Sequence, residues 1–334
     1  MSKTKAALFY NYPSAIEGEV FGQGRRERIA ALTDLYPDII HAGNFEQHAA
    51  KLADIEVIFA TWGMMNFTAA QRAKLPKLKA VFYAAGNVKA FAPSLIENGI
   101  TLVSAWAINA IPPAEMCLSQ ILLSLRGYFR TVRQYREQKS FDAKKYWRPG
   151  VMDETVGLIG LGYIGALLRQ KLRDYPVKVI AHDPFLTKER AAELDVTPVS
   201  LEDLFAKAYI VSNHIPDLET TRGVLDKKLF ASMRDGATFI NTGRGAQVVE
   251  ADMIAVLKAR PDLTALLDVT APEPPTADSE LWRLPNVIIS PHIGGTTGHE
   301  VVRLADCAVD EFEAWQKGRP LRYEVTREIF KTMG

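Results

Sequence analysis

The sequence predicts an α/β protein in two halves, each a parallel β-sheet covered by helices. Three observations carry this. Short apolar runs alternate with amphipathic helical stretches along most of the chain, the pattern of a parallel sheet with helices on its faces. Residues 155–183, TVGLIGLGYIGALLRQKLRDYPVKVIAHD, read as strand, glycine turn, helix, strand and acid. The chain has 334 residues, a length that suggests about two domains.

The first half sets out strands at 6–10, 39–41, 57–61, 80–83 and 100–103, with helices between them such as 25–36 and 67–73. The run at 6–10 is broken by Asn11 and Pro13, so it reads as a first strand rather than a signal peptide. Two loops follow strands, where open α/β sheets place ligands: Thr61-Trp62-Gly63 and Ala84-Ala85-Gly86-Asn87. Pro112-Pro113 then punctuates the chain, and 114–134 reads as one long amphipathic helix. A basic and aromatic arm follows, ending in Tyr146-Trp147-Arg148-Pro149. Helix and arm have two readings, packing on a second subunit or covering their own sheet.

Within 155–183 each part has a physical task. Gly160 allows a tight turn, Gly162 lets the backbone approach a pyrophosphate, and Gly165 lets helix and strand pack closely. Tyr163 and Ile164 open the helix, whose unpaired N–H groups receive phosphate. Asp183 follows Gly162 by about 20 residues, the spacing of a carboxylate that bonds a ribose 2′-OH. Glycines alone are a weak signal; the flanking strands and the acid make this a dinucleotide site.

Beyond Asp183 the alternation resumes. Strands at 210–213, 237–241, 263–269 and 287–290 end respectively at His214, at Thr242-Gly243-Arg244, before Glu273, and at Pro291-His292. A helix at 300–317 and a tail complete the chain. Arg244, Glu273 and His292 therefore fall past the carboxyl ends of successive strands, which share one edge in a parallel sheet. A fixed guanidinium can grip a carboxylate by a two-pronged fork. A histidine can exchange a proton near neutral pH, and a carboxylate can orient it. Each residue alone has a plain structural reading; their joint placement favours chemistry.

Composition limits the partners. The chain is 48% hydrophobic and 24% charged with a net charge of +1, which gives no electrostatic case for nucleic acid or acidic membrane. Nothing approaches the run of about 18 apolar residues that spans a bilayer. Cys117 and Cys307 lie in apolar helical patterns and read as buried thiols in a reducing, cytoplasmic setting, with no metal cluster.

At these residues the chain resembles the D-isomer-specific 2-hydroxyacid dehydrogenases. The resemblance covers most of the chain and is strongest over roughly residues 103–295, through TVGLIGLGYIG, NHIPDLETTRGVLDKKLFASMRDGATFINTGRGAQV, LDVTAPEPP and SPHIGG. It implies a flavodoxin-like substrate domain, 1–104 completed by 294–334, interrupted by a Rossmann domain at 105–293 that binds NAD. It implies catalytic roles for Arg244, Glu273 and His292. It also implies cofactor contacts from Asp183, His214, Pro216, Thr242, Gly243 and Arg244, with Asp268 on the nicotinamide amide. Trp62, Gly63, Ala85, Gly86 and Asn87, together with Arg244 and His292, would meet a small 2-keto or 2-hydroxy acid. The turn departs from the family's usual Gly-Val-Asp type run by reading Gly86-Asn87-Val88. The expected reaction is NAD-dependent interconversion of a 2-keto acid and a D-2-hydroxy acid, by a homodimer joined through the NAD-binding domain. Two alternatives keep the cofactor half: a dinucleotide-sensing corepressor of the same fold, and a dehydrogenase for another oxidised group such as phosphonate or phosphite.

Overall fold

A computed structural model describes residues 3–11, 19–145 and 148–332. Pro13, Tyr146 and Trp147 lie outside the described residues. The chain divides into two compact units, Met1–Ala110 with Thr296–Gly334, and Ile111–Gly295.

In the first unit, β1 (Lys5–Phe9), β2 (Asp34–Ile40), β3 (Val57–Ala60), β4 (Ala80–Tyr83) and β5 (Thr101–Ser104) form a parallel sheet in the order β2-β1-β3-β4-β5. This is the flavodoxin-like order. The central strands are buried along their whole length, as expected for strands covered on both faces. β2 is longer than its apolar residues foretold. It begins in the mixed run Asp34-Leu35-Tyr36-Pro37-Asp38, whose aspartates and proline an edge strand tolerates. The helix Arg25–Leu32 accordingly stops short of the expected end at Tyr36. One face of the sheet carries the helix Val302–Gln316, and the stretch read as a tail holds one more short helix, Arg327–Thr332. Phe312 meets Phe59 and Phe82 edge-on, with ring centroids 5.1 and 5.5 Å apart. Polar pairs reinforce that seat, with Arg25 on Asp306 and Arg28 on Asp310 and Glu313.

In the second unit, β6 (Thr155–Ile159), β7 (Lys178–His182), β8 (Thr197–Pro198), β9 (Ile210–Asn213), β10 (Thr238–Asn241), β11 (Thr264–Leu267) and β12 (Val287–Ile289) form a parallel sheet. Their order is β12-β11-β10-β9-β6-β7-β8, the doubly wound arrangement of nucleotide-binding sheets with a further strand at one edge. β8 has only two residues and contains a proline, so periodicity could not announce it.

The long helix expected at 114–134 is two helices, Ile111–Leu125 and Tyr128–Gln138. The break falls at Gly127, whose φ of 63° is left-handed. A side chain there would also collide with Arg148, whose Cγ lies 2.6 Å from the position a Cβ would take. Pro112 and Pro113 lie in the first turn of Ile111–Leu125 rather than before it, where a missing N–H costs nothing. Among the described residues no helix is long and apolar enough to cross a membrane.

Candidate active site

Because the second sheet is parallel, the loops that leave β6, β9, β10, β11 and β12 emerge at one edge. These loops, with the one after the parallel strand β7, hold the predicted cofactor and catalytic residues of this unit. At the first of them Gly160 has φ +85°, and a Cβ at Gly165 would stand 2.1 Å from the Gly160 carbonyl oxygen. Only glycine permits that turn and that approach. Gly162 caps the helix Tyr163–Lys171, and nothing stands within 4 Å of where its Cβ would be. An open backbone at a helix N-terminus suits a pyrophosphate. Tyr163 is exposed and Ile164 half-buried.

Asp183 follows the second strand of this unit, β7. Its Oδ2 accepts from the Leu161 amide at 2.7 Å and its Oδ1 from the Phe185 amide at 2.8 Å. The carboxylate thus ties the end of β7 to the glycine loop. Each oxygen keeps lone-pair capacity for a ribose hydroxyl.

At the end of β9, His214 bonds Ser212 Oγ through Nε2 at 2.9 Å. Burial pushes the imidazole down to about 4, so it is neutral at physiological pH. The carbonyl of Pro216 accepts from Thr221 Oγ1 at 2.6 Å, fixing the turn that follows. Thr242, at the end of β10, is buried with its Oγ1 3.1 Å from Cys117 Sγ. Both cysteines are free and buried. Desolvation raises Cys117 to about 11 and Cys307 to about 12, so both remain thiols.

Arg244 has an extended backbone, and its Nη1 donates to the Gly243 carbonyl at 2.7 Å. The guanidinium is half-buried and retains donors for a ligand. On the two neighbouring strands' loops stand Glu273 and His292, brought together directly: His292 Nδ1 lies 2.5 Å from Glu273 Oε1. Their side chains are 45% and 39% exposed, so the pair is open to a ligand. With Nδ1 committed to the carboxylate, Nε2 is the ring atom left to face one.

Asp268 does something the sequence did not announce. It is buried, and its carboxylate accepts from Ser290 Oγ (2.5 Å), Ile293 N (3.0 Å) and Gly294 N (2.8 Å). The carboxylate expected to meet the cofactor anchors the loop that carries His292. Asn213, which the resemblance placed at the start of the loop lining the cofactor, is fully buried at this sheet edge together with two polar residues the sequence reading gave no role, Asn241 and Gln247. Their one signal was an asparagine closing each of two apolar strands, IVSN and TFIN.

The predicted substrate residues other than Arg244 and His292 belong to the first unit. Gly63 has φ +84° after Trp62, whose carbonyl accepts from Asn11 N at 3.4 Å. Ser104 Oγ lies 2.8 Å from the carbonyl oxygens of both Ala85 and Gly86. Asn87 is exposed and its Oδ1 accepts from Lys89 N at 2.9 Å. The turn 85–87 is therefore fixed through its carbonyls.

Residues 118–294 match the family model described as D-isomer specific 2-hydroxyacid dehydrogenase, NAD binding domain. D-3-phosphoglycerate dehydrogenase of Archaeoglobus fulgidus is 32% identical over 229 residues, which is 69% of this chain and 43% of that protein. The chain thus spans less than half the length of that relative. Among solved structures, D-mandelate dehydrogenase of Rhodotorula graminis aligns with a TM-score of 0.80 at 20% identity, covering 97% of this chain and 98% of that one. D-lactate dehydrogenase with NAD+ from Lactobacillus jensenii aligns with a TM-score of 0.76 at 22% identity, covering 97% and 100%. At such identities the two structures speak for the fold.

Proposed function

This chain belongs to the D-isomer specific 2-hydroxyacid dehydrogenase family and carries its NAD-binding domain, and from that premise we propose that it reduces a small 2-keto acid to the D-2-hydroxy acid, reversibly. The observation that carries the proposal is the direct Glu273–His292 pair on loops of adjacent parallel strands, one strand over from Arg244.

The glycine loop with its open Gly162, the carboxylate of Asp183, the loop from His214 to Pro216, and Thr242-Gly243 fit NAD. When bound, the reduced cofactor supplies a hydride to the substrate's carbonyl carbon. Arg244 holds the substrate carboxylate and polarises the carbonyl oxygen by its fork of donors. His292 gives the proton on Nε2 to the nascent alkoxide, while Glu273 on Nδ1 fixes the tautomer and steadies the imidazolium. In the first unit, the Ala85-Gly86-Asn87 turn and Trp62-Gly63 are proposed to influence substrate choice.

The test is NADH oxidation with a panel of glyoxylate, hydroxypyruvate, phenylpyruvate and pyruvate, extended to NAD reduction with phosphite. Turnover with at least one 2-keto acid supports the proposal. Turnover with phosphite alone selects the alternative oxidised group. Turnover with none, together with NADH-dependent capture of a partner protein, selects the corepressor reading.

A homodimer through the NAD-binding unit is proposed on one further observation. Leu123, Tyr128, Val132, Tyr135 and Phe141 are large apolar side chains exposed along the helices Ile111–Leu125 and Tyr128–Gln138 and just beyond them, a patch of the sort that marks an interface. Sedimentation of wild type against Leu123→Glu with Tyr135→Glu tests it: the variant should be a monomer. The buried free thiols support a reducing, cytoplasmic setting.

A further inference from the structure

We propose that Asn213, Asn241 and Gln247 act as one positioning unit that sets the backbone of Arg244 and ties it to the cofactor loop at Ile215; the part concerning Arg244 rests on the function proposed above. Asn213 and Asn241 are register partners at the ends of adjacent strands β9 and β10, so their side chains leave the sheet on the same face. Asn213 Nδ2 donates to Asn241 Oδ1 at 3.0 Å and to Gln247 Oε1 at 2.6 Å. The three side chains are 0%, 1% and 0% exposed. At that burial each amide must find its partners away from bulk solvent.

What they bind apart from one another is informative. Asn213 Oδ1 accepts from Ile215 N at 3.3 Å, and Gln247 Nε2 donates to Ile215 O at 2.6 Å. Asn241 Oδ1 accepts from Gly243 N at 3.1 Å, and Asn241 Nδ2 donates to Arg244 O at 3.2 Å. Gln247 Oε1 accepts from Arg244 N at 3.3 Å. The triad therefore holds both main-chain groups of Ile215 and both of Arg244. A pair of asparagines serving only to close two strands would have no need of either loop. Gln247 is the hinge of the arrangement, because one of its atoms holds Arg244 and the other holds Ile215. Displacement of Ile215, between His214 and Pro216 in the cofactor loop, reaches the Arg244 backbone through a single side chain. Buried networks of this kind are stiff when every member is satisfied, and a clamp on substrate requires that stiffness.

The experiment uses Gln247→Leu, Asn213→Leu and the double variant in the full chain, with NADH titrated by fluorescence and steady-state kinetics on a 2-keto acid that wild type reduces. The single variants are expected to weaken NADH by about 5-fold, the scale of one lost hydrogen bond. They should lower kcat/KM by at least about 10-fold, since a small misplacement of a positioning group is costly in rate. In an Arg244→Lys background the same substitutions should change kcat/KM by less than about 3-fold, because they act through the Arg244 fork. The double variant should lose no more than the worse single one. Asn213→Leu is the milder single variant, because Gln247 keeps both Ile215 O and Arg244 N, so the proposal stays testable if Gln247→Leu fails to fold. Wild-type NADH affinity and kcat/KM in folded variants would overturn the proposal, as would losses that add in the double variant or that are undiminished beside Arg244→Lys. If wild type reduces no 2-keto acid, the functional reading fails on its own, and the NADH titration still decides whether the triad governs the Ile215 loop.

Discussion

The main-chain oxygen of Asp268 accepts from the N–H of His292 at 3.0 Å, while the Asp268 carboxylate holds the amides of the next two residues, Ile293 and Gly294. His292 has a φ of +53°, a left-handed conformation that costs a side-chain-bearing residue about 1–3 kcal/mol. One buried residue thus grips the chain on both sides of a strained histidine. Asp268→Asn replaces an acceptor with a donor facing amide N–H groups. We predict that it lowers turnover by about 100-fold through displacement of His292, with NADH affinity changed far less. A loss of NADH affinity in proportion to the loss of turnover would make Asp268 a cofactor contact first.

Arg244→Lys keeps the charge and loses the fork. A point ammonium cannot hold carboxylate and carbonyl together, so kcat/KM should fall by at least about 2 kcal/mol of transition-state stabilisation. Near-normal turnover in the lysine variant would reduce Arg244 to a bond on the Gly243 carbonyl.

Much of this was legible in the chain itself, and the reasons divide by physics. The apolar runs of β3, β4, β9 and β10 declare buried parallel strands without help from tertiary structure. The glycine loop and Asp183 are spaced by covalent geometry, so their meeting through Leu161 N was within reach. Three kinds of feature were not. Edge strands such as β8 and the start of β2 carry polar residues and proline because one side faces no partner. The helix break at Gly127 is a left-handed turn inside a continuous apolar period, which periodicity alone does not register. The buried amides of Asn213, Asn241 and Gln247 and the carboxylate of Asp268 find partners only after distant strands align.

Asp183→Ser should narrow the preference for NAD(H) over NADP(H). The carboxylate repels a 2′-phosphate, and a hydroxyl does not. The substitution also removes the acceptor for Leu161 N in the glycine loop, so affinity for both cofactors should drop as the preference narrows. Equal catalytic efficiency of wild type with the two cofactors contradicts the assignment.

His214 supplies a pH test. Its pKa is lowered by burial from 6.5 to about 4, so between these values the unfolded chain binds the proton that the folded chain refuses. Stability is therefore full above the unfolded value and is lost as pH falls through this window. The loss is at most about 2 kcal/mol by about pH 5. Thermal midpoints at about pH 7.5 and about pH 5 should fall further for wild type than for His214→Gln. An equal fall in both proteins would mean that the imidazole is solvated and titrates freely.

The central claim is that reduction draws its proton from His292 as oriented by Glu273. It is met most directly by single-turnover mixing of NADH-loaded protein with the best 2-keto acid of the panel. Wild type should oxidise its bound NADH in one rapid phase. His292→Ala should bind NADH as wild type does and carry that phase roughly 10²–10⁴-fold more slowly, the worth of a positioned proton donor, with Glu273→Gln falling between the two. A His292→Ala protein that oxidises NADH at the wild-type rate, or a wild type that shows no such phase with any 2-keto acid, would contradict the account.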